Sequence, residues 1–301
     1  MRERLISPLR YPGSKAGLTG YVEKFLRDHD LCGMQMVEPF AGSAALSLNL
    51  LARDVIGSIM LFERDPLVFS FWHAVFFETD RLVHLVQAYP PTLETRRELE
   101  WLREMDEVHA DVALMGYAGL MFNRTSFSGV LHAGPIGGVS QSSAYKVGCR
   151  YNAVDLVRRI SEISEYRDRV EVYFGDAQDA LADACNVDNE GRFFYVDPPY
   201  YVQGPRLYRY SYGFAEHHRL ASVLAEANYK WFLSYDDHPV IRHFYRDYQI
   251  HEPILRYSSK VPKSEAEVFI TNVSTDGVIG KASSGRLALP EQNSDETALL
   301  A

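Results

Sequence analysis

The stretch Met34–Ala52, MQMVEPFAGSAALSLNLLA, decides the fold class of this 301-residue chain. Its apolar first residues predict a strand, the small residues after Pro39 predict a tight turn, and the leucine-rich remainder predicts a helix. A second strand is predicted in Gly57–Pro66, where charged residues 63–65 precede a proline suited to a helix start. Strand, helix and strand in this order indicate a parallel α/β sheet.

The same alternation continues along the chain. Residues 67–122 are predicted to be largely helical, and VEVYFGDAQDAL (Val170–Leu181) returns to strand, turn and helix. Further strands are predicted in GRFFYV, KWFLSYDD and EVFITN, with a helix over Ala215–Asn228. Between them, Phe122–Asn152 is rich in Gly, Ser and Arg, and so long a loop is usually functional or disordered. Residues 278–301 lack aromatic side chains and are predicted to form a disordered tail.

Composition and charge limit the class of protein. A hydrophobic content of 47% is ample for a packed core, and no signal peptide or membrane span is predicted, so we expect a soluble, cytoplasmic protein. The net charge of -9 argues against a generally basic surface, but the charge is uneven. Residues 78–111 carry nine acidic residues against four arginines, whereas residues 116–160 carry five basic residues against one aspartate. The second segment is the one expected to meet phosphates.

Several common site types are not indicated. The three cysteines lack C-x-x-C spacing, and the ten histidines lack partners at ligand spacing, so no metal site is predicted. The chain has no G-x-G-x-x-G, G-x-S-x-G or Walker A pattern. These absences count against a nicotinamide-dependent oxidoreductase, an α/β-hydrolase and a P-loop kinase.

The sharpest candidate site is the end of GRFFYVDPPYY (Gly191–Tyr201). In open α/β sheets, ligands bind beyond the carboxyl ends of the strands, which is where this cluster falls. Asp197 and the carbonyl of Pro198 can accept hydrogen bonds from an NH2 group, and Tyr200 offers a ring for stacking. The two prolines end strand pairing and fix the neighbouring backbone. The pattern predicts a site for a planar amine.

A cofactor site is indicated at the ends of the first two strands. Gly42 and its small neighbours permit close approach of a ligand to the turn. Glu63 lies 21 positions later, at the end of the next strand, where an acidic residue suits a ribose hydroxyl pair. Asp65 is the competing candidate, and either carboxylate can instead cap the following helix.

Taken together, LRYPGSK, VEPFAGSAAL, LFERDP, YFGDAQ, YVDPPYY and EVFITN resemble the motifs of Dam-type (D12 class) DNA adenine N6-methyltransferases, in the family's order over residues 7–273. The resemblance implies a Rossmann-like, S-adenosylmethionine-dependent methyltransferase sheet with helices on both faces. Residues 1–70 and 166–277 would form the catalytic domain. Residues 71–165 would be an inserted, mainly helical target-recognition region.

The resemblance also assigns roles. It implies that Tyr11 and Lys15 lie by the S-adenosylmethionine pocket, that Phe40 and Gly42 cradle its methionine part, that Glu63 takes the ribose and that Asp176 reaches the cofactor's adenine. Asp197, Pro198 and Tyr200 would grip the target adenine, and Asp197 would also border the cofactor. Ala44 departs from the family's second glycine and narrows the turn, Glu63 stands in place of an aspartate, and the LSYDD segment has no assigned role.

Four arginines are candidates for DNA contacts. Arg124 and Arg150 lie in the Phe122–Asn152 segment, with pairing to the acidic helices as the alternative. Arg206 and Arg209 lie in a tyrosine-rich loop (Tyr200–Phe214) that is expected to close over a flipped nucleotide, with plain aromatic packing as the alternative.

The expected activity is methyl transfer from S-adenosylmethionine to N6 of a flipped adenine in double-stranded DNA, without a metal. Alternatives are the same chemistry on cytosine N4 or an RNA adenine, and a DNA-binding relative that has lost catalysis. The expected protein is a monomer that needs no protein partner. Its recognition sequence stays open, as does whether it is solitary, part of restriction and modification, or phage-encoded.

Overall fold

The computed structural model describes residues 5–252 and 267–274 of the chain. In these residues seven strands form one sheet: β1 (Gln35–Glu38), β2 (Ser58–Glu63), β3 (Val170–Phe174), β4 (Arg192–Val196), β5 (Lys230–Asp236), β6 (Gln249–His251) and β7 (Glu267–Thr271). Their order across the sheet is β3-β2-β1-β4-β5-β7-β6. Strands β1 to β5 are parallel, and β7 runs antiparallel between β5 and β6.

The helices described by the structure are α1 (Thr19–Asp28), α2 (Ala45–Ala52), α3 (Pro66–Phe77), α4 (Thr79–Ala88), α5 (Leu93–Glu98), α6 (Glu100–Arg103), α7 (Val112–Thr125), α8 (Ala153–Ser164), α9 (Ala177–Ala184), α10 (Gly204–Leu207), α11 (Phe214–Ala225) and α12 (Pro239–Phe244). Pro90 and Pro91 lie between α4 and α5, as expected of residues that cannot continue a helix. Among the strands in the described part of the chain, only the three-residue β6 was not predicted, because so short a segment carries no readable pattern.

The sheet is buried on both faces. Phe193 and Tyr195 of β4 pack into a core shared with α1, α2, α3, α7 and α8. Phe194 and Val196 point to the other face, where α9, α11 and α12 cover the sheet. The continuous apolar run of β4 is what a central parallel strand requires, because alternate side chains face opposite cores. The expected Rossmann-like sheet with helices on both faces is therefore confirmed.

The region predicted as an insert, residues 71–165, contains most of α3, all of α4 to α8 and a long loop (residues 126–152) between α7 and α8. Its first boundary falls inside α3, since that helix begins at Pro66, where Asp65 caps it by accepting from the Leu67 N–H. Met115 and Phe122 of α7 lie in the same core as the sheet residue Phe193. The helices of this region thus share their core with the sheet.

Two further expectations concern the chain as a whole. The predicted tail, residues 278–301, lies outside the described residues. Among the residues that are described, no helix is both long and apolar enough to cross a membrane.

Candidate active site

A pocket lies at the carboxyl edge of the sheet, where the ends of β1, β2 and β4 meet. Its empty volume is about 1060 Å³, which includes the part that is open to solvent. Nine residues named from the sequence line it: Tyr11, Lys15, Phe40, Gly42, Glu63, Asp65, Asp176, Asp197 and Arg209. Its wall also contains residues that the sequence did not single out, including Glu38, His132, Tyr195, Tyr208 and Tyr212.

The turn after β1 forms the floor of the pocket. Gly42 has φ +45°, and a Cβ on it would lie 3.0 Å from the ring of Tyr11. Both the left-handed backbone and the nearby ring disfavour a side chain here. Ala44 also has a positive φ of 46°, and its backbone begins α2. The position for which the resemblance implies a glycine is therefore left-handed in this chain, and the alanine adopts that conformation at some cost in strain.

Glu63 fastens this turn to the end of β2. Its Oε2 accepts from the Gly42 N–H at 3.0 Å, and its Oε1 accepts from the N–H groups of Arg64 and Asp65, each at 2.9 Å. Burial raises the pKa of Glu63 to about 7 despite these hydrogen bonds. Since a carboxylate oxygen accepts about two hydrogen bonds, Oε1 is filled and Oε2 keeps room for one more donor.

Asp65, the competing ribose ligand, has a different place. Its Oδ1 caps α3 by accepting from the Leu67 N–H at 2.9 Å. It too is buried, and burial raises its pKa to about 6. The structure therefore assigns the cap to Asp65 and leaves Glu63 as the carboxylate tied to the glycine turn.

Asp197 lies at the end of β4 in a network of charged and polar groups. Lys15 Nζ lies 3.1 Å from Asp197 Oδ1 and donates to the carbonyl of Gly13 at 2.7 Å. Ser234 Oγ donates to the same Oδ1 at 2.7 Å. Lys15 is itself buried, with 7% of its side chain exposed. The N-terminal LRYPGSK motif and the DPPY motif thus meet directly, although they are far apart in sequence.

The residues after Asp197 are held by two later strands. Asp236 accepts from the N–H groups of Tyr201 and Val202, each at 3.0 Å. Tyr200 donates its hydroxyl to Glu267 Oε1 at 3.0 Å, stacks on Tyr235 and lies with its ring centre 4.7 Å from Lys15 Nζ. The LSYDD segment, which had no assigned role, therefore fixes the DPPYY turn.

Pro198 and Tyr200 border the pocket less directly than Asp197. Pro198 is buried, and the pocket lining includes Asp197 and Pro199 but neither Pro198 nor Tyr200. Their predicted grip on a substrate amine and ring stays a prediction.

Glu38 is a buried acid that sequence reasoning missed. It ends β1, it is 4% exposed, and its Oε2 accepts from Ser47 Oγ at 3.0 Å. Burial, reinforced by the nearby charge of Asp197, raises its pKa to about 8. The only signal in the sequence was an acidic residue at the end of an apolar strand, directly before Pro39.

The tyrosine-rich loop (Tyr200–Phe214) closes one side of the pocket. Tyr208 stacks on Tyr11 with ring centres 5.5 Å apart and donates its hydroxyl to the carbonyl of Pro12. Arg209 donates to the carbonyls of Arg103 and Met105 and forms an ion pair with Asp106 at 2.8 Å. Arg209 therefore pairs with the acidic segment, and its predicted DNA contact stays a prediction.

Arg124 is also engaged inside the protein. It is 8% exposed, and its Nε donates to the carbonyl of Pro8 at 2.6 Å. Neighbouring Asn123, which sequence reasoning missed, accepts from the Arg10 N–H at 2.7 Å and donates to the carbonyls of Arg10 and Gly129. These contacts tie the N-terminal segment (residues 5–15) to the end of α7. A charge count along the sequence cannot reveal that such an arginine points inward.

The remaining predicted residues divide in two groups. Asp176 caps α9 through the Gln178 N–H and forms an ion pair with Arg64 at 2.7 Å, while Phe40 packs against Tyr212. Arg150 and Arg206 are exposed, as a surface contact requires. Among the described residues no cluster of three or more His, Cys, Asp or Glu is placed to hold a metal ion.

Comparison with known proteins identifies relatives of the chain. A family model for D12 class N6 adenine-specific DNA methyltransferases matches residues 11–259, a range that contains every residue lining the pocket. Among solved structures, yhhF from Escherichia coli, provisionally assigned as a methyltransferase, is similar at 11% identity with a TM-score of 0.38 and 89% of each chain covered. HI0767 from Haemophilus influenzae, provisionally assigned as a methylase, is similar at 12% identity with a TM-score of 0.36, covering 84% of this chain and 86% of the other. No curated protein sequence matches the chain.

Proposed function

The chain belongs to the D12 class N6 adenine-specific DNA methyltransferase family, and from that membership we propose that it methylates N6 of a flipped adenine in double-stranded DNA, with S-adenosylmethionine as the donor. Membership makes it a methyltransferase. The donor, the nitrogen that is methylated and the duplex are the proposed parts, and the pocket supports each of them.

The observation that carries the proposal is the position of Asp197, an acceptor at the end of β4. Lys15 forms an ion pair with its Oδ1, and Ser234 donates a hydrogen bond to the same atom. An aromatic amine is a poor nucleophile because its lone pair is delocalised into the ring. Acceptors bound to its hydrogens favour a more tetrahedral nitrogen and free that lone pair. Asp197 and the Pro198 carbonyl are the proposed acceptors, and the enzyme's contribution is orientation and electrostatics.

The residues of the pocket fit S-adenosylmethionine. Glu63 has room on Oε2 for one ribose hydroxyl, and the backbone of Gly42 offers close approach because no side chain stands there. Phe40, proposed to hold the methionine part, packs edge to face against Tyr212 in the pocket wall, and Asp176, proposed to reach the cofactor's adenine, lines the same pocket. When bound, the cofactor supplies a methyl group already activated on a sulfonium.

Tyr200 is proposed to stack on the target base. Its hydroxyl is fixed by Glu267 and its ring by Tyr235, so its orientation is set before a base arrives. Removing a base from the duplex costs a few kcal/mol, and stacking on a preset ring offsets part of that cost.

The duplex is proposed to lie across the long loop (residues 126–152). This loop adjoins the pocket through Gly129 to His132 and exposes Phe127, Tyr145 and Arg150. Arg206 is exposed on the tyrosine-rich loop. Exposed aromatic and basic side chains on loops that adjoin the pocket favour a nucleic acid over a small free amine.

Methyl incorporation by Asp197→Ala tests the proposal. We expect incorporation from labelled cofactor into unmethylated duplex DNA to fall by about 10²-fold or more, while cofactor binding is retained. Asp183→Ala, on the exposed face of α9, is the control and should be unchanged. An Asp197→Ala protein that methylates at the wild-type rate contradicts the mechanism. Nucleoside analysis of the product separates N6-methyladenine from N4-methylcytosine, and an RNA substrate tests the remaining alternative.

A further inference from the structure

A buried chain of hydroxyl groups stands behind Asp197. Tyr195 of β4 and Ser234 of β5 place their hydroxyl oxygens 3.0 Å apart, and Ser234 Oγ lies 2.7 Å from Asp197 Oδ1. Ser234 is fully buried and Tyr195 is 2% exposed. The parallel register pairs Val196 with Leu233, so its continuation by one residue brings Asp197 opposite Ser234. The contact is thus built into the pairing of two central strands.

The direction of this chain follows from proton counting. A serine hydroxyl has one proton, and an ionised carboxylate can only accept, so the Ser234 proton is directed to Asp197. Ser234 Oγ must then accept from the Tyr195 hydroxyl. Burial raises the pKa of Tyr195 well above its ordinary value, which keeps the phenol protonated as the donor.

The two donors that contact Asp197 in the described structure, Ser234 Oγ and Lys15 Nζ, both approach Oδ1. The two donors differ in nature. Lys15 sits on a flexible stem and supplies charge, whereas Ser234 is held by a central strand and supplies direction. With Oδ1 fixed by both, the carboxylate has one orientation, and Oδ2 is the oxygen left for a substrate.

We propose that Ser234 is a positioning residue for the methyl-transfer reaction: it fixes Oδ1 of Asp197 so that Oδ2 accepts a hydrogen from the target amine, with Tyr195 fixing Ser234 in turn. This inference rests on the proposed function of Asp197. No bond is made or broken along the chain of hydroxyls, and no proton needs to move through it. Ser234 belongs to the LSYDD segment, so the proposal gives that segment a role in catalysis.

The test compares Ser234→Ala, Ser234→Thr and Tyr195→Phe with the wild type. A hydrogen bond to a charged group contributes roughly 1.5–3 kcal/mol, so kcat of Ser234→Ala should fall by about 10- to 100-fold. Cofactor affinity by calorimetry and KM for DNA should stay within about twofold, because Ser234 contacts neither ligand. Ser234→Thr keeps the hydroxyl and should restore most of kcat. Tyr195→Phe removes only the far donor and should lower kcat by a few-fold.

The control is Ser70→Ala, which removes a fully buried hydroxyl from α3 and should leave kcat unchanged. Three results overturn the proposal: Ser234→Ala with kcat within twofold of wild type, a loss of cofactor affinity that matches the loss of kcat, or Ser234→Thr as slow as Ser234→Ala. Failure of the proposed function is a separate result, since it appears as a wild-type protein that forms no N6-methyladenine. If the wild type methylates another amine, the same variants are measured on that substrate.

Discussion

Glu38 is the residue whose burial has the clearest consequence for stability. Its pKa is raised to about 8 in the folded protein against an ordinary value of 4.5, so above pH 4.5 the unfolded chain loses a proton that the folded protein keeps. The stability of the fold therefore decreases as pH rises from about 4.5 to about 8. Glu38→Gln removes the charge and can still accept from Ser47. We expect the variant to be more stable than wild type by about 1–3 kcal/mol at pH 8.5, with no gain at pH 4.5.

Chemical unfolding at the two pH values measures this difference. Glu226→Gln, at an exposed carboxylate, is the control and should show no pH-dependent gain. Equal stabilities of wild type and Glu38→Gln at pH 8.5 would mean that Glu38 is not held in a desolvated site.

Glu63 predicts how cofactor binding depends on pH. Its pKa is about 7 in the free protein, and a ribose hydroxyl donating to Oε2 favours the ionised carboxylate. Glu63 is ionised in only about a tenth of the protein molecules at pH 6 and in about nine tenths of them at pH 8. Apparent affinity should therefore rise by up to roughly tenfold between pH 6 and pH 8, with proton release on binding near pH 6.

Calorimetry in two buffers of different ionisation enthalpy measures both quantities. Glu63→Gln should bind more weakly and lose most of the pH dependence, which separates Glu63 from the neighbouring Asp65. A wild-type affinity that is constant from pH 6 to pH 8 contradicts the assignment of the ribose to Glu63.

At the level of single residues, short motifs reveal part of the site. Gly42, Glu63 and Asp197 were predicted because each stands at a recognisable turn or strand end, whereas Lys15 was predicted only from the resemblance of its LRYPGSK motif to the family. Ser234 lies 37 positions from Asp197, and Glu267 lies 67 positions from Tyr200. Contacts of that kind depend on strand register, which one sequence does not state. Arg124 shows the converse, since its charge is visible in the sequence but its burial is not.

Among the elements, the contact between the N-terminal segment (residues 5–15) and the end of α7 makes the clearest prediction. Gly129 has φ +79°, and a Cβ on it would lie 2.0 Å from the carbonyl oxygen of Arg10. Its own carbonyl accepts from Asn123. Gly129→Ala must therefore displace Arg10 and, with it, Tyr11 in the pocket wall. We expect a loss of more than about 2 kcal/mol in stability together with weaker cofactor binding.

Gly138→Ala is the matched control. Gly138 also has a positive φ, of 70°, but a Cβ there meets nothing within 4 Å. Gly138→Ala should lose only about 1–2 kcal/mol of stability, the cost of an alanine in the left-handed region, and should keep the cofactor affinity of wild type. If both variants behave alike, Gly129 is needed only for its backbone angle and not for the fit against Arg10.

The elements themselves were the most predictable level of structure. Helix starts carry local signals, such as Asp65 before Pro66 and Asp176 before α9, and both side chains cap as those signals indicate. Central strands such as β4 show as short apolar runs. The long loop (residues 126–152) has no such pattern, and side-chain contacts hold it in place, such as those of Arg96 with Ser126 and with the carbonyl of Ala133.

For the whole molecule, parallel topology made the fold predictable and also placed the site. Once β1, β2 and β4 are parallel neighbours, their ends must share one edge, and three motifs distant in sequence become one pocket. The division of the chain was harder to predict. The helices of residues 71–165 share a core with the sheet, so no change in hydrophobic composition marks the boundary between the predicted catalytic domain and the predicted insert.

The uneven charge of the whole molecule predicts how DNA binding responds to salt. A chain of net charge -9 must meet a polyanion through a limited basic surface, so affinity for duplex DNA should fall steeply between 50 and 200 mM salt. Arg150→Gln and Arg206→Gln remove exposed charges and should each reduce the slope of log K against log salt by about one. Arg124→Gln removes a buried guanidinium that donates to Pro8, so it should lower the free energy of unfolding instead. Fluorescence anisotropy across a salt series, with unfolding measured on the same samples, separates the two effects. Loss of a phosphate contact lowers the number of counterions released on binding and therefore lowers the slope. An unchanged slope for both exposed variants would therefore mean that the DNA does not contact the long loop.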